Sequence, residues 1–468
     1  MDRGQQTRRA FLASVTTTAV LTSCTTTKQD VQPTTVDCPP PPAKPNTAKV
    51  VPRKISPNEL LNIAVVGCGG RGFDNIRELR DTTKDNIVAL CDVDTNRAKQ
   101  ALTEFSSAKQ YSDWRKLLDD STSFDAVLVA TPDHMHAPVS VSAMRLGKHV
   151  YCEKPLARTI HEARVMASTA KEYGLATQMG TQGVGMNETR TNVELLRSGI
   201  IGAIQEVHVW TDRAKNWWPQ GVERPKETPP APENINWDLW LGVAPLRPYN
   251  PIYAPFKWRG WKDFGSGAIG DMGIHNAAIA FLGYQLGMPD GVKIVATSPL
   301  CSETFPAWAE LQLNFPAQGN NPAFVLHWYD GGHKPPVSLI DNEPMDANGC
   351  IIVGTGGTAY SIDWAGNRMQ LYPKEKFKDI KAPAQTLLRA KSHHAEWTEA
   401  CKGGPAPMAN FIDFAAPMTE IMQLGNLALR TGKDLKWDTK TATSPDCTEA
   451  NAFVKPNYRD GWKIEGLG

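Results

Sequence analysis

Short apolar runs alternate with longer amphipathic stretches along the first half of the chain. The apolar runs have the length and the β-branched residues of buried strands, and they are Leu61–Val66, Ile87–Cys91, Phe124–Ala130 and His149–Cys152. Stretches of helical length separate them, and a further predicted helix, Ile160–Tyr173, precedes a strand at Leu175–Met179. This alternation predicts an α/β fold with a doubly wound parallel sheet.

After Ile204 the pattern changes to the alternation of apolar and polar residues that half-buried strands show. Such segments are Glu206–Trp210, Glu310–Asn314, Ala323–Trp328, Cys350–Val353 and Thr358–Ile362. They predict a second, α+β domain built on a large, open and mostly antiparallel sheet. A sheet with one uncovered face is a natural surface for self-association, so we expect a homo-oligomer.

The first residues have the features of an export signal. Arg8 and Arg9 stand directly before a weakly apolar stretch that runs to Leu21 without an acidic residue, which is typical of twin-arginine signals. The sequence Leu21-Thr22-Ser23-Cys24 resembles a bacterial lipoprotein cleavage box, in which Cys24 would carry the lipid. The stretch is too short and too rich in Thr to span a bilayer. We therefore expect an exported protein that is periplasmic or anchored to the membrane only through Cys24.

Changes in composition mark the remaining boundaries. After a signal at 1–24, the Pro- and Thr-rich residues 25–58 cannot bury enough apolar area to fold, which predicts a disordered tether. The parallel sheet falls in a predicted domain at 59–182. The antiparallel sheet falls in one at 183–432, for substrate binding and oligomerisation, and residues 433–468 form a tail.

Charge and cysteine content exclude several classes of protein. Fifty Lys and Arg stand against 49 Asp and Glu, and the formal charge of +1 gives no electrostatic basis for binding nucleic acid. The nine Cys form no CxxC pair, so neither a disulfide scaffold nor a cysteine-built zinc site is expected. Most of these cysteines are expected to be buried as small apolar residues.

A glycine-rich turn directly follows the first strand, and its residues include Gly67, Gly69, Gly70, Arg71 and Gly72. The first glycine can make the tight turn, the second lets backbone N–H groups approach a pyrophosphate, and the last lets the next helix lie close to the strand. The spacing predicts a dinucleotide site, although a merely flexible turn would show the same pattern.

Asp92 ends the second strand, 20 residues beyond Gly72. An acidic side chain at this place hydrogen-bonds the ribose of an adenosine. A carboxylate there repels a 2′-phosphate, so we expect NAD rather than NADP, although Arg97 in the following helix is an argument the other way. The alternative is that Asp92 caps the helix predicted at Asn96–Glu104.

Residues after the third and fourth strands complete the predicted cofactor site, and they are Thr131, Pro132, His134, His136 and Glu153. The two histidines are expected to line the nicotinamide pocket and not to bind a metal, because no cluster of Cys or carboxylates accompanies them. No metal site is therefore expected.

Lys154 follows the fourth strand directly. Beside a nicotinamide cation its amine would be partly desolvated and close to positive charge, and both effects favour the neutral form that a general base needs. The alternative is an ordinary surface lysine paired with a residue such as Glu153.

A second candidate for chemistry lies much later in the chain. Asp271 and His275 stand four residues apart at the start of a predicted helix that continues to Leu282, which places both on one face. The carboxylate can orient the imidazole and leave the other ring nitrogen for a substrate hydroxyl. The alternative is an Asp near a helix N-terminus with a buried His beside it.

Together these motifs closely resemble those of the glucose-fructose oxidoreductase, inositol dehydrogenase and rhizopine-catabolism (Gfo/Idh/MocA) family. The resemblance spans roughly residues 62–432 and rests on the glycine turn, Asp92, Thr131-Pro132-Asp133-His134, Glu153-Lys154-Pro155 and Gly270-Asp271-x-Gly273-x-His275. It implies an N-terminal Rossmann domain, a C-terminal α/β domain with a large sheet, and action on sugars or cyclitols. It also implies that Lys154, Asp271 and His275 form the catalytic group.

A Trp-rich insertion departs from the commonest members of that family. Seven of the 14 Trp fall at 210, 217, 218, 237, 240, 258 and 261. Flat aromatic faces stack on the C–H faces of sugar rings, which predicts a carbohydrate cleft. Because Trp237 and Trp240 also suit the packing of a Pro-rich loop, we assign two or three of the seven to a ligand and the rest to the core.

Three functions are consistent with these features. The expected one is an NAD(P)-dependent oxidoreductase that moves hydride between nicotinamide and a sugar or cyclitol hydroxyl. Export suggests an NAD-dependent glycoside hydrolase, which retains its NAD through oxidation, elimination, hydration and reduction, because an exchangeable NAD pool is not expected outside the membrane. The third is a carbohydrate-binding lipoprotein without activity.

Overall fold

The structure is a computed structural model that describes residues 50–468. The predictions of an export signal, of lipidation at Cys24 and of most of the tether concern residues outside this range. Within it, no helix is both long enough and apolar enough to cross a membrane.

The first half of the described chain folds around a six-stranded parallel sheet. Its strands are β1 (Asn62–Val66), β2 (Asn86–Cys91), β3 (Lys109–Tyr111), β4 (Ala126–Val129), β5 (His149–Cys152) and β6 (Thr177–Met179). The helices between them are α1 (Arg71–Thr82), α2 (Thr95–Glu104), α3 (Trp114–Asp119), α4 (His136–Arg145) and α5 (Ile160–Tyr173). The strand order is β3-β2-β1-β4-β5-β6, which confirms the doubly wound parallel sheet.

The order of strands reverses between β1 and β4, because the chain leaves β3 at one edge and returns beside β1. At such a reversal the connections leave in opposite directions and open a crevice at the carboxyl ends of the strands. Five of the six strands coincide with the predicted apolar runs to within two residues. β3 was not predicted, since it is three residues long and contains no apolar run.

The second half is built on an eight-stranded sheet. Its strands are β7 (Ile204–Trp210), β8 (Gly291–Thr297), β9 (Ala309–Phe315), β10 (Phe324–Tyr329), β11 (Gly349–Gly354), β12 (Gly357–Ile362), β13 (Arg368–Tyr372) and β14 (Leu435–Lys436). They lie in the order β13-β12-β11-β7-β10-β9-β8-β14. Only β7 and β10 pair in parallel, so the predicted large and mostly antiparallel sheet is confirmed.

The helices of this half are α6 (Asn187–Arg197), α7 (Trp237–Leu241), α8 (Ile274–Asn276), α9 (Ala278–Tyr284), α10 (His393–Cys401), α11 (Ala416–Thr431) and α12 (Thr448–Val454). α11 packs so closely on the sheet that a Cβ added at Gly425 would lie 3.0 Å from Leu311 Cδ1. The opposite face is more open: along β10 every second residue is buried, and those between are partly exposed. Self-association through this face stays a prediction.

Two features outside the sheets bear on the sequence-based expectations. The predicted tail contributes β14 and α12, and its Tyr458 hydroxyl donates a 2.6 Å hydrogen bond to Glu162 of α5. Six of the seven described cysteines are buried and all seven are unpaired, which confirms their expected role as small apolar residues.

Candidate active site

A cavity of about 550 Å³ lies at the carboxyl ends of the parallel strands. This volume is typical of small-molecule sites. Its wall combines the glycine turn, the ends of β2, β4 and β5, and residues from 213–275 and 364. Most predicted site residues line it, namely Gly67, Gly69, Gly70, Arg71, Asp92, Thr131, Pro132, Glu153, Lys154, Asp271 and His275.

The glycine turn has a conformation that side chains would prevent. Gly67 has φ +87°, and a Cβ added there would lie 2.6 Å from the carbonyl oxygen of Ala130. Gly72 packs directly on the turn, where a Cβ would meet the Gly67 oxygen. α1 begins at Arg71, so its N-terminus points at the turn, where the N–H of Gly72 already donates to the Gly69 oxygen at 3.1 Å. These residues fit the pyrophosphate of a dinucleotide.

Asp92 connects the glycine turn to the end of β2. One carboxylate oxygen accepts the N–H of Cys68 at 2.8 Å, and the other accepts the N–H of Asp94 at 2.9 Å. Burial raises its pKa. The capping alternative is wrong, because the side chain that accepts the first N–H groups of α2 is that of Asp94.

Arg97 shares this part of the cavity wall with Asp92. Its guanidinium lies over the glycine turn, since a Cβ added at Gly70 would be 2.5 Å from Arg97 Nη2. A carboxylate and a guanidinium thus stand at the rim where an adenosine ribose would lie, and their opposite charges favour NAD and NADP respectively.

Glu153 anchors the side chains below the turn. Its Oε1 accepts hydrogen bonds from Asn75 Nδ2 at 2.8 Å, Gln182 Nε2 at 3.2 Å and Arg71 Nε at 3.4 Å. The glutamate therefore fixes Arg71 at the start of α1. It does not pair with Lys154, contrary to the surface-lysine alternative.

Lys154 is held by Asp271 instead. Its Nζ donates to Asp271 Oδ1 at 2.5 Å and to the Asp271 carbonyl oxygen at 3.0 Å, and Arg259 Nε lies 3.4 Å from the same Oδ1. Burial acts to raise the pKa of Asp271, but the charges of Lys154 and Arg259 outweigh it and hold that pKa well below its usual range. The carboxylate is therefore ionised at neutral pH.

The predicted pairing of Asp271 with His275 is wrong. No hydrogen bond joins the two side chains, and His275 Nδ1 is buried without a partner within residues 50–468. The carboxylate of Asp271 is instead engaged by Lys154 and Arg259. Asp271 and His275 both still line the cavity, but their side chains make no hydrogen bond to each other.

His275 remains close to the pair formed by Lys154 and Asp271. Its ring centre lies 5.2 Å from that of Trp364, at 74° between the planes. Burial lowers the pKa of His275 to about 3, and the nearby charge of Lys154 adds to this effect. The imidazole is therefore neutral near pH 7.

The structure does not place His134 and His136 in the cavity wall, contrary to the prediction. Both are buried, and their ring nitrogens lie within 3.3 Å of backbone oxygens, those of Phe264 and Trp240 for His134 and those of Pro155 and Thr131 for His136. The short helical turn at Asp133–Met135 directs Met135 to the cavity instead. The two histidines hold together the segments behind the site.

Aromatic side chains make up much of the cavity wall. Four of the seven Trp of the insertion line it, more than the two or three expected, and they are Trp217, Trp218, Trp240 and Trp258. Trp237 instead stacks on Trp240, with ring centres 4.7 Å apart. Trp114 and Trp364 also line the cavity and were not predicted, because they lie outside the Trp-rich segment.

Arg213 and Arg259 also went unnoticed in the sequence. Both line the cavity near Lys154 and Asp271. They lie in the insertion, which has little periodicity, and nothing in its pattern separates them from other arginines. The one signal for Arg259 is its place directly before the Gly-rich segment that contains Asp271.

The one group of possible metal ligands within residues 50–468 lies outside the cavity. Its members are Glu206 and His208 of β7 and His327 of β10, with side-chain ligand atoms within 4.8 Å of one another. His208 already hydrogen-bonds the carboxylate of Glu206 at 3.1 Å and the hydroxyl of Tyr329 at 3.2 Å.

Two family models match the chain, both of the Gfo/Idh/MocA family. "Oxidoreductase family, NAD-binding Rossmann fold" matches residues 61–181. "Oxidoreductase family, C-terminal alpha/beta domain" matches residues 186–316. Together the two matches cover more than half of the 468 residues.

Curated relatives match over part of their length. Inositol 2-dehydrogenase of Salmonella typhimurium is 35% identical over 26% of this chain and 36% of its own. Levoglucosan dehydrogenase of Pseudarthrobacter phenanthrenivorans is 29% identical over 45% of each chain. Glycosyl hydrolase family 109 protein 1 of a Shewanella species is 27% identical over 34% of this chain and 37% of its own. The chain thus matches less than half the length of each.

Among solved structures, the aldose-aldose oxidoreductase of Caulobacter crescentus, complexed with glycerol, has the same fold. The TM-score is 0.56 at 17% identity, and the match covers 81% of this chain and all of the other. The two proteins therefore share the two-sheet architecture. At 17% identity this similarity shows the fold alone.

Proposed function

Since the chain belongs to the Gfo/Idh/MocA oxidoreductase family, we propose that it transfers a hydride between NAD and a hydroxyl group of a sugar or cyclitol. The observation that carries this proposal is that the glycine turn, Lys154 and His275, which come from three distant segments, line one cavity. The similarity to inositol and levoglucosan dehydrogenases supports a sugar or cyclitol as the substrate.

The residues of the turn fit the cofactor. The N–H groups at Gly69 and at the start of α1 would bind the pyrophosphate, and Asp92 would accept hydrogen bonds from the adenosine ribose. Nicotinamide, when bound, supplies the carbon that gives or takes the hydride. Glu153 and Arg71 would support the cofactor from below the turn.

The residues beside this site divide the proton chemistry between them. A protonated lysine amine has three N–H donors, and Asp271 accepts two of those of Lys154, so one remains for a substrate oxygen. The neutral imidazole of His275 accepts the proton of the hydroxyl that is oxidised. Asp271 acts through Lys154 and is a positioning residue.

A second candidate is an NAD-dependent glycoside hydrolase that keeps its NAD. The similarity to the glycosyl hydrolase family 109 protein favours it. In that cycle a sugar hydroxyl is oxidised, the aglycone leaves by elimination, water adds and the hydride returns, so no net oxidant is needed. The same cavity residues would serve both reactions.

We also infer export through the twin-arginine signal and anchoring at Cys24, from the sequence of residues 7–24 alone. Replacing Arg8 and Arg9 together with Lys should retain the precursor in the cytoplasm, as cell fractionation would show. An unchanged distribution of the variant would overturn this inference.

One preparation tests the proposed reaction. Native mass spectrometry of the purified protein shows whether a dinucleotide is retained, and nicotinamide absorbance follows turnover with a panel of sugars and cyclitols. Reduction of added NAD supports the dehydrogenase. Retained NAD with release of a chromogenic aglycone supports the hydrolase. A protein that showed no dinucleotide binding and no turnover would overturn both candidate functions.

A further inference from the structure

Two arginines beside the proposed chemistry have no part in hydride transfer as described above. Arg213 and Arg259 line the cavity, and their side chains are 17% and 22% exposed. They stand at the same end as Lys154, Asp271 and His275. Since hydride transfer does not use these two arginines, we consider them as groups that bind the substrate.

Arg213 is held in place but largely unpaired. Its Cζ lies 3.4 Å from the ring centre of Trp217, and its Nη1 donates to Asp212 Oδ1 at 3.2 Å. Its Nε is buried and has no hydrogen-bond partner in the part of the chain that the structure describes. A guanidinium carries five N–H donors in one plane, and those on Nη2 and the second on Nη1 remain for a ligand.

Arg259 is fixed more tightly. Its Nε lies 3.4 Å from Asp271 Oδ1, and its Nη1 donates to the carbonyl of Phe256 at 3.0 Å. Its Cζ lies 4.3 Å from the ring centres of both Phe256 and Trp258. Arg259 therefore mainly contacts Asp271, and Arg213 is the arginine whose N–H donors are available to a ligand.

Charge at this end of the cavity is not balanced. Lys154, Arg213 and Arg259 are three cations, and two carboxylates pair with them, Asp271 with Lys154 and Arg259 and Asp212 with Arg213. Asp133 lies behind the wall, where burial raises its pKa to about 7 and weakens its charge. An excess of partly buried positive charge is best compensated by an anionic ligand.

We propose that the substrate is an acidic sugar, a hexuronic acid or its glycoside, whose carboxylate is bound by Arg213. The inference rests on the proposed function and names the substrate class for the same cavity. The planar fork of a guanidinium matches a carboxylate with two parallel hydrogen bonds. Trp217, on which Arg213 stacks, and Trp218 line the same cavity and offer apolar surface to the sugar ring. Arg213 is then the residue that sets specificity.

The experiment compares matched substrates with the full-length enzyme and its cofactor. Values of kcat/KM are measured for glucuronate, galacturonate, their methyl esters and glucose 6-sulfate. We expect the wild-type enzyme to prefer one uronate over its methyl ester by roughly 10- to 100-fold, the worth of a charge-assisted, bidentate contact. In Arg213→Gln this ratio should fall close to one, and Arg213→Lys should restore only part of it.

The control is Arg80→Gln. Arg80 also pairs with a neighbouring aspartate, Asp81 at 2.7 Å, but lies on α1 outside the cavity wall, so the preference for the acid should persist. Equal use of acid and ester by the wild type, or an unchanged ratio in Arg213→Gln, would overturn the proposal. Preference for glucose 6-sulfate over both uronates would also overturn it, because the anion would then not be a carboxylate.

Calorimetric titration with the two uronates separates this inference from the proposed function. Binding of a uronate that is lost in Arg213→Gln supports the subsite even if no nicotinamide is reduced. Turnover of neutral sugars without binding of either uronate supports the oxidoreductase and overturns the subsite.

Discussion

The two ends of the cavity are built by different means. The dinucleotide end is made of backbone, since the turn from Gly67 to Gly72 and the start of α1 present N–H groups that are close in sequence. The substrate end is made of side chains from distant segments, among them Lys154 and Asp271, which lie 117 residues apart. The first end can bind a phosphate through local geometry alone. The second exists only when both sheets are folded, so its chemistry depends on tertiary contacts.

The largest effect is expected at the point where the two ends meet. Replacing Lys154 with Met removes the amine that Asp271 holds and keeps a side chain of similar length. We expect kcat to fall about 100-fold or more, or about 2.7 kcal/mol of transition-state stabilisation, with dinucleotide affinity little changed. Steady-state kinetics and dinucleotide titration measure the two quantities.

Lys109→Met is the matched control for this substitution. Lys109 also forms an ion pair with an aspartate, Asp120 at 2.7 Å, but lies on the surface outside the cavity. Its loss should leave kcat unaltered. Full activity in Lys154→Met would remove the lysine from the chemistry, and equal losses in both variants would indicate a general effect on folding.

At the dinucleotide end we expect Gly67→Ala to abolish most cofactor binding. The added Cβ would lie 2.6 Å from the Ala130 carbonyl, at a backbone conformation that costs roughly 1–3 kcal/mol for other residues. The turn must shift, and a loss of about tenfold or more in dinucleotide affinity should follow. Titration of the purified variant with NAD measures it.

Gly174→Ala is the control that separates the backbone strain of an alanine at positive φ from the effect of changing the glycine turn. Gly174 follows α5 with φ +62° and has nothing within 4 Å of an added Cβ. It should therefore lose some thermal stability while its affinity for the dinucleotide stays that of the wild type. If the two alanine variants bound NAD equally well, the turn would not be the phosphate site.

The same contrast explains how much of the molecule could be predicted. The glycine turn and Asp92 were found because short spacings report local geometry, and the strands were found because buried strands leave apolar runs. The pairing of Lys154 with Asp271 was not found, since the two residues lie 117 positions apart and only the tertiary fold brings them together. Arg213 lies in the insertion, where only the fold shows which side chains face the cavity.

A smaller effect is expected for the choice of cofactor. Asp92→Asn removes the negative charge at the ribose while keeping the shape, and it should raise the use of NADP relative to NAD several-fold. Arg97→Gln should act in the opposite direction, because it removes the cation that could bind a 2′-phosphate. Ratios of kcat/KM for the two cofactors measure both changes. If both variants kept the wild-type ratio, neither residue would contact this part of the cofactor.

A separate effect concerns stability and pH. The pKa of His275 is lowered to about 3 by burial, against 6.5 for an unperturbed imidazole. A group whose pKa is depressed in the folded state contributes stability that is present above the unfolded value and is lost as the pH falls towards the folded one. The stability that His275 contributes should therefore be lost as the pH falls from 6.5 to 3. Over that range the melting temperature of His275→Gln should fall by less than that of the wild type. A larger loss in the variant would contradict the depressed pKa.

The depressed pKa of His275 also determines how this residue affects the pH dependence of kcat/KM. Because the imidazole stays neutral down to about pH 3, its protonation cannot produce an acidic limb near pH 6.5 in kcat/KM. Whatever limb is seen at that pH must belong to another group, so it should persist in the residual activity of His275→Gln. A limb near pH 6.5 that disappears in the variant would mean that His275 titrates there. In that case water or bound ligand would have to reach the buried Nδ1, and the substrate end of the cavity would be more polar than its Trp residues suggest.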